Sequence, residues 1–96
     1  MPRDYVLSPM AEADLEEIWV YTAQEWSSAQ AEMYTNDIID AFEDIAAGKK
    51  AGRPALVREG YLKILIGKHA IYYRLQGEAI AVMRILHQSM DVERHL

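Results

Sequence analysis

Residues 61–87 of the chain, YLKILIGKHAIYYRLQGEAIAVMRILH, contain three apolar segments rich in β-branched and aromatic side chains. The segments cover residues 61–66, 70–75 and 79–87, and the three-residue turns Gly67-Lys68-His69 and Gln76-Gly77-Glu78 separate them. Segments of this composition and length are typical of strands. Strands joined by such short turns are antiparallel neighbours. The stretch therefore predicts a three-stranded antiparallel meander.

The two faces of this meander differ in character, because successive side chains of a strand point to opposite faces. In the first two strands one face is mixed and basic, and the other carries Leu62, Ile64, Ile66, Ile71, Tyr73 and Leu75. We expect helices to pack on the apolar face, with one tyrosine of the Tyr72-Tyr73 pair in the core and the other at the surface. The third strand is apolar on both faces except at Arg84. This predicts a central strand that pairs with the N-terminal one.

A strand and a helix are predicted at the start of the chain. Residues 4–7 are typical of a short strand, and the Ser8-Pro9 pair favours a helix start, since serine caps free amides and proline suits the first turn. Apolar positions then recur at helical spacing: Ala11, Leu15, Ile18, Trp19, Thr22, Ala23 and Trp26. Both tryptophans lie on this stripe, so both are expected in the core.

A second helix follows after a very short connection, which makes the two helices an antiparallel hairpin. Ser27 and Gln30 form a candidate capping box, and Gly48 stands where a left-handed C-terminal cap is wanted. The apolar stripe of this helix is Ala31, Tyr34, Ile38, Ala41, Phe42 and Ile45. Residues 49–58 are predicted as a basic loop and residues 88–96 as a short tail that can form a last helical turn or two. The predicted order is β-α-α-β-β-β, a two-layer α+β fold in one domain over residues 1–96.

Composition limits the class of function. The chain has no cysteine, so it forms no disulfide or thiolate metal site, and no motif supports a cofactor. It has neither a signal-peptide pattern nor an apolar run near the roughly 20 residues of a membrane span, so a cytoplasmic protein is expected. Residues 1–48 hold one base and eleven acids, and residues 49–96 hold nine bases and four acids. A basic half can face nucleic acid or an acidic partner, although ordinary solvated helix faces also explain the acidic half.

Three stretches resemble the RelE/ParE toxin superfamily, in the order in which that family has them. YVLSPMAEADLEEIWVYTAQEW (residues 5–26) is similar to its first strand and helix, with the Ser-Pro start and an Asp-Leu pair. GRPALVREGYLKILIGKHAIYYRL (residues 52–75) resembles its loop into the sheet. The ending VMRILHQSMDVERHL (residues 82–96), with an Arg-Ile-Leu-His strand end, resembles the ParE branch.

This resemblance implies the toxin of a type II toxin–antitoxin pair, neutralised by direct binding of a small ParD-like antitoxin. ParE-type toxins poison DNA gyrase by trapping it on broken DNA, whereas RelE-type toxins cut messenger RNA on the ribosome. One scaffold serves both activities, so the fold does not choose between them. A third alternative is an inert relative that only binds its antitoxin and helps to regulate the operon. The ParE interpretation implies that the chain breaks no bond itself, binds no specific nucleic-acid sequence alone, and forms a hetero-oligomer with its antitoxin.

The ribonuclease alternative needs an acid, a base and cations that stabilise phosphate charge. Glu59 and His87 are the candidates for acid and base, and Arg58, Arg74 and Arg84 are the cations. The catalytic set of this alternative is Arg58, Arg84 and His87. However, Arg84 and His87 are three apart on one strand, so they point to opposite faces unless the strand bends. The acidic net charge also weakens binding to a phosphate backbone, and the ParE interpretation has no catalytic residue.

A metal site is a further alternative. His87, Asp91 and His95 are four residues apart, and a helical tail would align them as ligands. The same spacing arises by chance, so no metal site is predicted.

Two binding surfaces are predicted. The target-binding set combines the cations of the second half with the C-terminal segment: Arg53, Arg58, Arg74, Arg84, His87, Met90, Asp91 and Arg94. The alternative for this set is structural: Arg84 pairs with a buried acidic side chain, and the tail covers the edge of the sheet. The antitoxin-binding set is drawn from the helix hairpin, where a half-exposed tryptophan is a suitable anchor: Leu15, Trp19, Trp26 and Tyr34.

Overall fold

The structure, a computed structural model, describes residues 4–96, so Arg3, the base of the acidic half, lies outside the described residues. In chain order the elements are β1 (Tyr5–Leu7), α1 (Pro9–Glu25), α2 (Ser28–Ala46), β2 (Arg53–Pro54), β3 (Leu62–Ile66), β4 (His69–Gln76), β5 (Ala79–His87) and α3 (Val92–His95). The predicted α+β order is present, with one additional strand, β2, and with a short helix, α3, in the predicted C-terminal tail. No helix within residues 4–96 is long and apolar enough to cross a membrane.

The sheet has five strands in the order β1-β5-β4-β3-β2. The predicted meander is confirmed, since β3, β4 and β5 are antiparallel neighbours. The central position of β5 is confirmed as well, and its partner β1 runs parallel to it. The prediction of a plain loop over residues 49–58 is wrong, because Arg53 pairs with Lys63 and Pro54 with Leu62. A two-residue strand is too short to show alternation, and proline is tolerated at a sheet edge.

Both helices begin at the predicted caps. The Ser8 hydroxyl accepts a hydrogen bond from the Ala11 amide, and the Ser27 hydroxyl accepts one from the Gln30 amide, each at 3.0 Å. Gly48 follows α2 with a φ of 79°, the left-handed conformation that favours glycine at a helix end. The helix hairpin is therefore set by local sequence.

The main core lies between the helix hairpin and the apolar face of the sheet. Its largest buried side chains include Phe42, Ile38, Ile71, Ile80 and Tyr73. The expectation that both tryptophans are core residues is wrong for Trp26, which is 74% exposed, while Trp19 is half-buried. The cause is that α1 ends at Glu25 and Trp26 is its C-cap residue. A residue with non-helical backbone angles no longer follows the rotation that places the stripe against the sheet.

A second, smaller core covers the other face of the sheet. Ala55, Tyr61, Ala70, Tyr72 and Leu86 are buried together, and Met83, Val92 and Leu96 pack against them. The expectation that one residue of the Tyr72-Tyr73 pair would be exposed is therefore wrong, because both rings are buried on opposite faces. The strand alternates as expected, but α3 and the loop before β3 shield the face that was expected to be at the surface.

Candidate functional site

A β-bulge in β5 sets the geometry of the strand end. Tyr73 pairs with Val82 and Tyr72 with Arg84, so Met83 is an extra, unpaired residue. Beyond the bulge the register is shifted by one, and His69 lies opposite His87. Bulges of this kind bend a strand and redirect its side chains. Arg84 and His87 nevertheless belong to opposite faces, as their spacing predicted.

The Asp14 carboxylate accepts hydrogen bonds at the edge of β5, beyond the part of the strand that pairs with β1. β1 pairs with β5 only as far as Val82, so within residues 4–96 the amides beyond that residue have no strand partner on this side. One Asp14 carboxylate oxygen accepts from the Ile85 amide at 2.9 Å and from Arg84 Nε at 2.7 Å. The other oxygen accepts from Arg84 Nη2 at 2.9 Å. Hydrogen bonding to Asp14 raises the pKa of the Arg84 guanidinium above its usual value.

Two of the predicted target-binding arginines hold the C-terminal helix. Arg84 Nη1 donates to the main-chain oxygen of His95, and Arg58 Nη1 donates to that of Leu96, each at 3.0 Å. The Arg58 guanidinium also lies 5.2 Å from the centre of the Tyr61 ring, within cation–π range. Both arginines therefore lie next to α3, and each donates one hydrogen bond to a main-chain oxygen at the end of the chain.

The remaining target-binding residues are spread over the surface. Arg53 on β2 and Arg74 on β4 are exposed, and neither forms an ion pair among residues 4–96. Asp91 is the N-cap of α3 and pairs with Arg94 at 3.6 Å, both well exposed. Met90 is 43% exposed. The predicted set is therefore divided: Arg58, Arg84, Asp91 and Arg94 contact α3, cap it or belong to it, whereas Arg53 and Arg74 lie separately on the sheet.

The trio His87, Asp91 and His95 does not share one helix. His87 is the last residue of β5, whereas α3 begins at Val92. Within the part of the chain that is described, no group of three His, Cys, Asp or Glu side chains is placed to hold a metal ion.

The densest cluster of polar aromatic side chains lies elsewhere, and sequence reasoning missed it. The rings of His69 and His87 are edge-to-face with their centroids 5.2 Å apart. Tyr34 of α2 places its hydroxyl 2.6 Å from His69 Nδ1, and it also accepts from the Lys68 amide at 3.1 Å. The Ser89 hydroxyl is 2.7 Å from His87 Nδ1. The cluster could have been predicted from sequence only if the strand register had included the bulge at Met83.

Burial shifts the pKa of two groups in this cluster, the His69 imidazole and the Tyr34 hydroxyl. It lowers the pKa of the His69 imidazole, and the neighbouring His87 lowers it further, while Asp14 raises it by a smaller amount. Burial also raises the pKa of the Tyr34 hydroxyl, against a smaller opposing effect of the Lys68 amide. His69 therefore prefers the neutral state in the folded protein.

The four predicted antitoxin-binding residues line two different grooves. Leu15 and Trp19 line a groove of about 530 Å³ between α1, α2 and β1. Trp26 and Tyr34 line a groove of about 680 Å³ at the turn of the helix hairpin, together with His69 and His87. The sequence stripes do not distinguish these two surfaces.

Comparison with known proteins decides the family. Residues 5–92 match the family described as "ParE toxin of type II toxin-antitoxin system, parDE". The chain belongs to the ParE toxin family. Toxin ParE1 of Mycobacterium tuberculosis is 45% identical over 98 residues, covering 100% of both chains. Toxin ParE1 of Caulobacter vibrioides is 38% identical and covers 98% of each. The predicted superfamily and its ParE branch are thereby confirmed.

The same fold is found in a solved structure. A chain of the chromosomal ParDE toxin–antitoxin system from P. aeruginosa superposes with a TM-score of 0.78 at 21% identity, covering 88% of this chain and 95% of that one. This match confirms the predicted α+β architecture.

Proposed function

We propose that this ParE toxin poisons DNA gyrase and that a ParD-like antitoxin neutralises it by direct binding. Membership of the ParE family supports a toxin of a type II system. The gyrase target and the identity of the antitoxin are the proposed part. In this mode the toxin makes or breaks no covalent bond itself.

The hydrogen bonding of Arg84 is the observation that favours gyrase poisoning over RNA cleavage. All three guanidinium nitrogens donate hydrogen bonds, two of them to Asp14 and one to His95. A ribonuclease cation must instead be free to bind the developing phosphate charge. Arg58 donates to Leu96 as well, and His87 lies on the other face of the sheet. The catalytic set of the ribonuclease alternative is thus not assembled, which supports a non-enzymatic toxin.

The proposed target surface is centred on α3. Arg58 and Arg84 hold this helix by its last main-chain oxygens, and the exposed Asp91 and Arg94 lie on it or at its start. The proposed set is completed by Met90 just before this helix, by Arg53 and Arg74 on the sheet, and by His87 on the opposite face of the sheet. Exposed arginines favour long-range attraction of an acidic surface and rapid association.

The proposed antitoxin surface is the helix hairpin. The groove with Leu15 and Trp19 is mostly apolar, and Glu12 and Glu16 line its border. An antitoxin segment with apolar residues flanked by lysine or arginine would match both features. Trp26 at the hairpin turn offers a large exposed ring as a second anchor.

The test mixes purified, antitoxin-free toxin with DNA gyrase and supercoiled plasmid, followed by denaturation and gel analysis. Linear plasmid that requires both toxin and gyrase is the expected result, and stoichiometric antitoxin should abolish it. Normal supercoiling at high toxin excess would contradict the proposal. A parallel translation reaction detects cut messenger RNA, and cleavage there without linear plasmid would support the RelE-type activity instead.

A further inference from the structure

The sheet face opposite the helix hairpin carries a group of cationic side chains. The strand register places Arg53 of β2 directly opposite Lys63 of β3, and Lys63 directly opposite Tyr72 of β4. Tyr72 belongs to the second core, so the side chains of this row point away from the hairpin. Arg74 is two residues further along β4, on the same face and diagonal to Lys63. Three adjacent strands therefore each present one cation on one surface.

These three charges have no ion-pair partner within the described chain. Arg53, Lys63 and Arg74 are exposed, and none of them pairs with an acid among residues 4–96. The acids of the two flanking turns, Glu59 and Glu78, are exposed as well and remain outside any ion pair with them. Opposite residues have Cβ atoms roughly 5 Å apart and diagonal ones roughly 7 Å, so like charges here destabilise the sheet. A bound anion would remove that cost.

Most acidic side chains lie on the other side of the molecule. The helices α1 and α2 contain five acids each and no lysine or arginine, and they pack on the opposite face of the sheet. Charges of one sign that are clustered on one surface attract a ligand locally, even where the net charge of the protein opposes it. The net charge of −5 therefore leaves the sheet face open to a polyanion.

The layout of the three cations fits a linear polyanion better than a single anion. A site for one phosphate directs several donors to one point, whereas these side chains lie side by side on separate strands. DNA carries a phosphate charge at regular intervals, so neighbouring cations can bind successive phosphates. The rings of Tyr61 and Tyr72 between them are buried and offer no anchor to a protein partner. We propose that Arg53, Lys63 and Arg74 bind the phosphate backbone of double-stranded DNA without reading its sequence.

The use of this contact rests on the proposed function. A gyrase poison acts while the enzyme holds DNA, so a toxin that binds both would keep them together. The helix α3 lies on the same face of the sheet, where Val92 and Leu96 pack on the second core. The gyrase surface proposed around α3 and the three cations therefore point to one side of the toxin. Three phosphate contacts give weak binding to DNA alone, and gyrase supplies the remaining affinity.

The test measures binding of the purified, antitoxin-free toxin to a fluorescently labelled DNA duplex. Fluorescence anisotropy is recorded over a salt series that starts at about 20 mM, because phosphate contacts weaken with salt. Three contacts predict a slope of log K against log salt of about −2.7, and Arg53→Gln, Lys63→Gln and Arg74→Gln should each reduce its magnitude by about 0.9. Two duplexes of unrelated sequence should bind equally.

Lys49→Gln is the matched control, because it removes the same charge from the exposed loop after α2 and should leave the slope unchanged. Circular dichroism verifies that all four variants are folded. The proposal is overturned if the wild type binds no duplex at about 20 mM salt, or if the three sheet variants retain the wild-type slope. Displacement of DNA by poly-glutamate at equal charge concentration would overturn it too, since the face would then fit an acidic protein surface.

The gyrase reaction separates this inference from the proposed function. DNA binding that depends on the three cations, without linear plasmid in the gyrase reaction, would support the inference and contradict gyrase poisoning. Linear plasmid from a toxin that binds no duplex would support gyrase poisoning and overturn the inference.

Discussion

Asp14 on α1 and Arg84 on β5 are 70 residues apart in sequence and form a two-point ion pair, with N···O distances of 2.7 and 2.9 Å. Their side chains are only 9% and 12% exposed. The same carboxylate accepts the Ile85 amide, and the same guanidinium holds α3 through the His95 oxygen. One contact therefore joins the first helix, the free edge of the sheet and the surface proposed to meet the target.

Removing the carboxylate should destabilise the fold. Asp14→Ala leaves the Arg84 charge and the Ile85 amide without their acceptor, and breaking a largely buried pair costs about 3 kcal/mol. The measurement is urea unfolding followed by circular dichroism. Arg94→Ala is the control, because it breaks the exposed pair with Asp91 and should cost less than about 1 kcal/mol. Equal stability of the two variants would show that the Asp14 contact is not structural.

Stability should fall in mild acid because of His69. The pKa of this imidazole is lowered in the folded protein, chiefly by burial, so the unfolded chain binds the proton more readily. The free energy of unfolding should therefore decrease as the pH falls below the ordinary histidine pKa of about 6.5. Urea titrations between pH 7.5 and 5 measure this slope. It should be shallower in His69→Gln, and an unaltered slope would contradict the assignment, whereas His95→Gln should retain the wild-type slope.

Antitoxin affinity should depend on Trp26. Its ring is 74% exposed at the hairpin turn, and replacement by glutamate removes an aromatic anchor and adds charge. We expect at least a tenfold loss of affinity, equivalent to about 1.4 kcal/mol, by calorimetry with the cognate antitoxin. Leu65→Glu is the control, since Leu65 is 57% exposed on β3 and lines neither hairpin groove. Unchanged affinity of Trp26→Glu would remove this residue from the interface.

Gyrase poisoning should depend on the exposed cation Arg74. This side chain is exposed on β4, so Arg74→Glu should change the free energy of unfolding by less than about 0.5 kcal/mol. Charge reversal at a target surface slows association, and we expect several-fold less linear plasmid at equal toxin concentration. Lys49→Glu, which makes the same charge change in the loop after α2, should behave as the wild type. Equal loss in both variants would indicate a general charge effect.

The elements that short-range patterns determine could be predicted. The Ser8 and Ser27 caps, the left-handed Gly48 and the stripes between them define the helix hairpin, because each depends on residues within four positions. The meander followed from the alternation and the short turns. The central place of β5 followed from a strand that is apolar on both faces.

The arrangement around α3 and the histidine pair could not be predicted in this way. Nothing in the sequence around Met83 indicates a bulge. Without the bulge, the register in which Tyr73 pairs with Val82 would continue and place His69 opposite Leu86 instead of His87. Arg84 was expected to meet either a target or a buried acid, and only packing of α1 on the sheet brings Asp14 to it. Local sequence thus determined the helix hairpin, the first strand, the meander and their order, because caps, turns and periodicity act over a few residues. Tertiary structure decided which charges are free and which histidines meet, because those contacts depend on register and on chain segments distant in sequence.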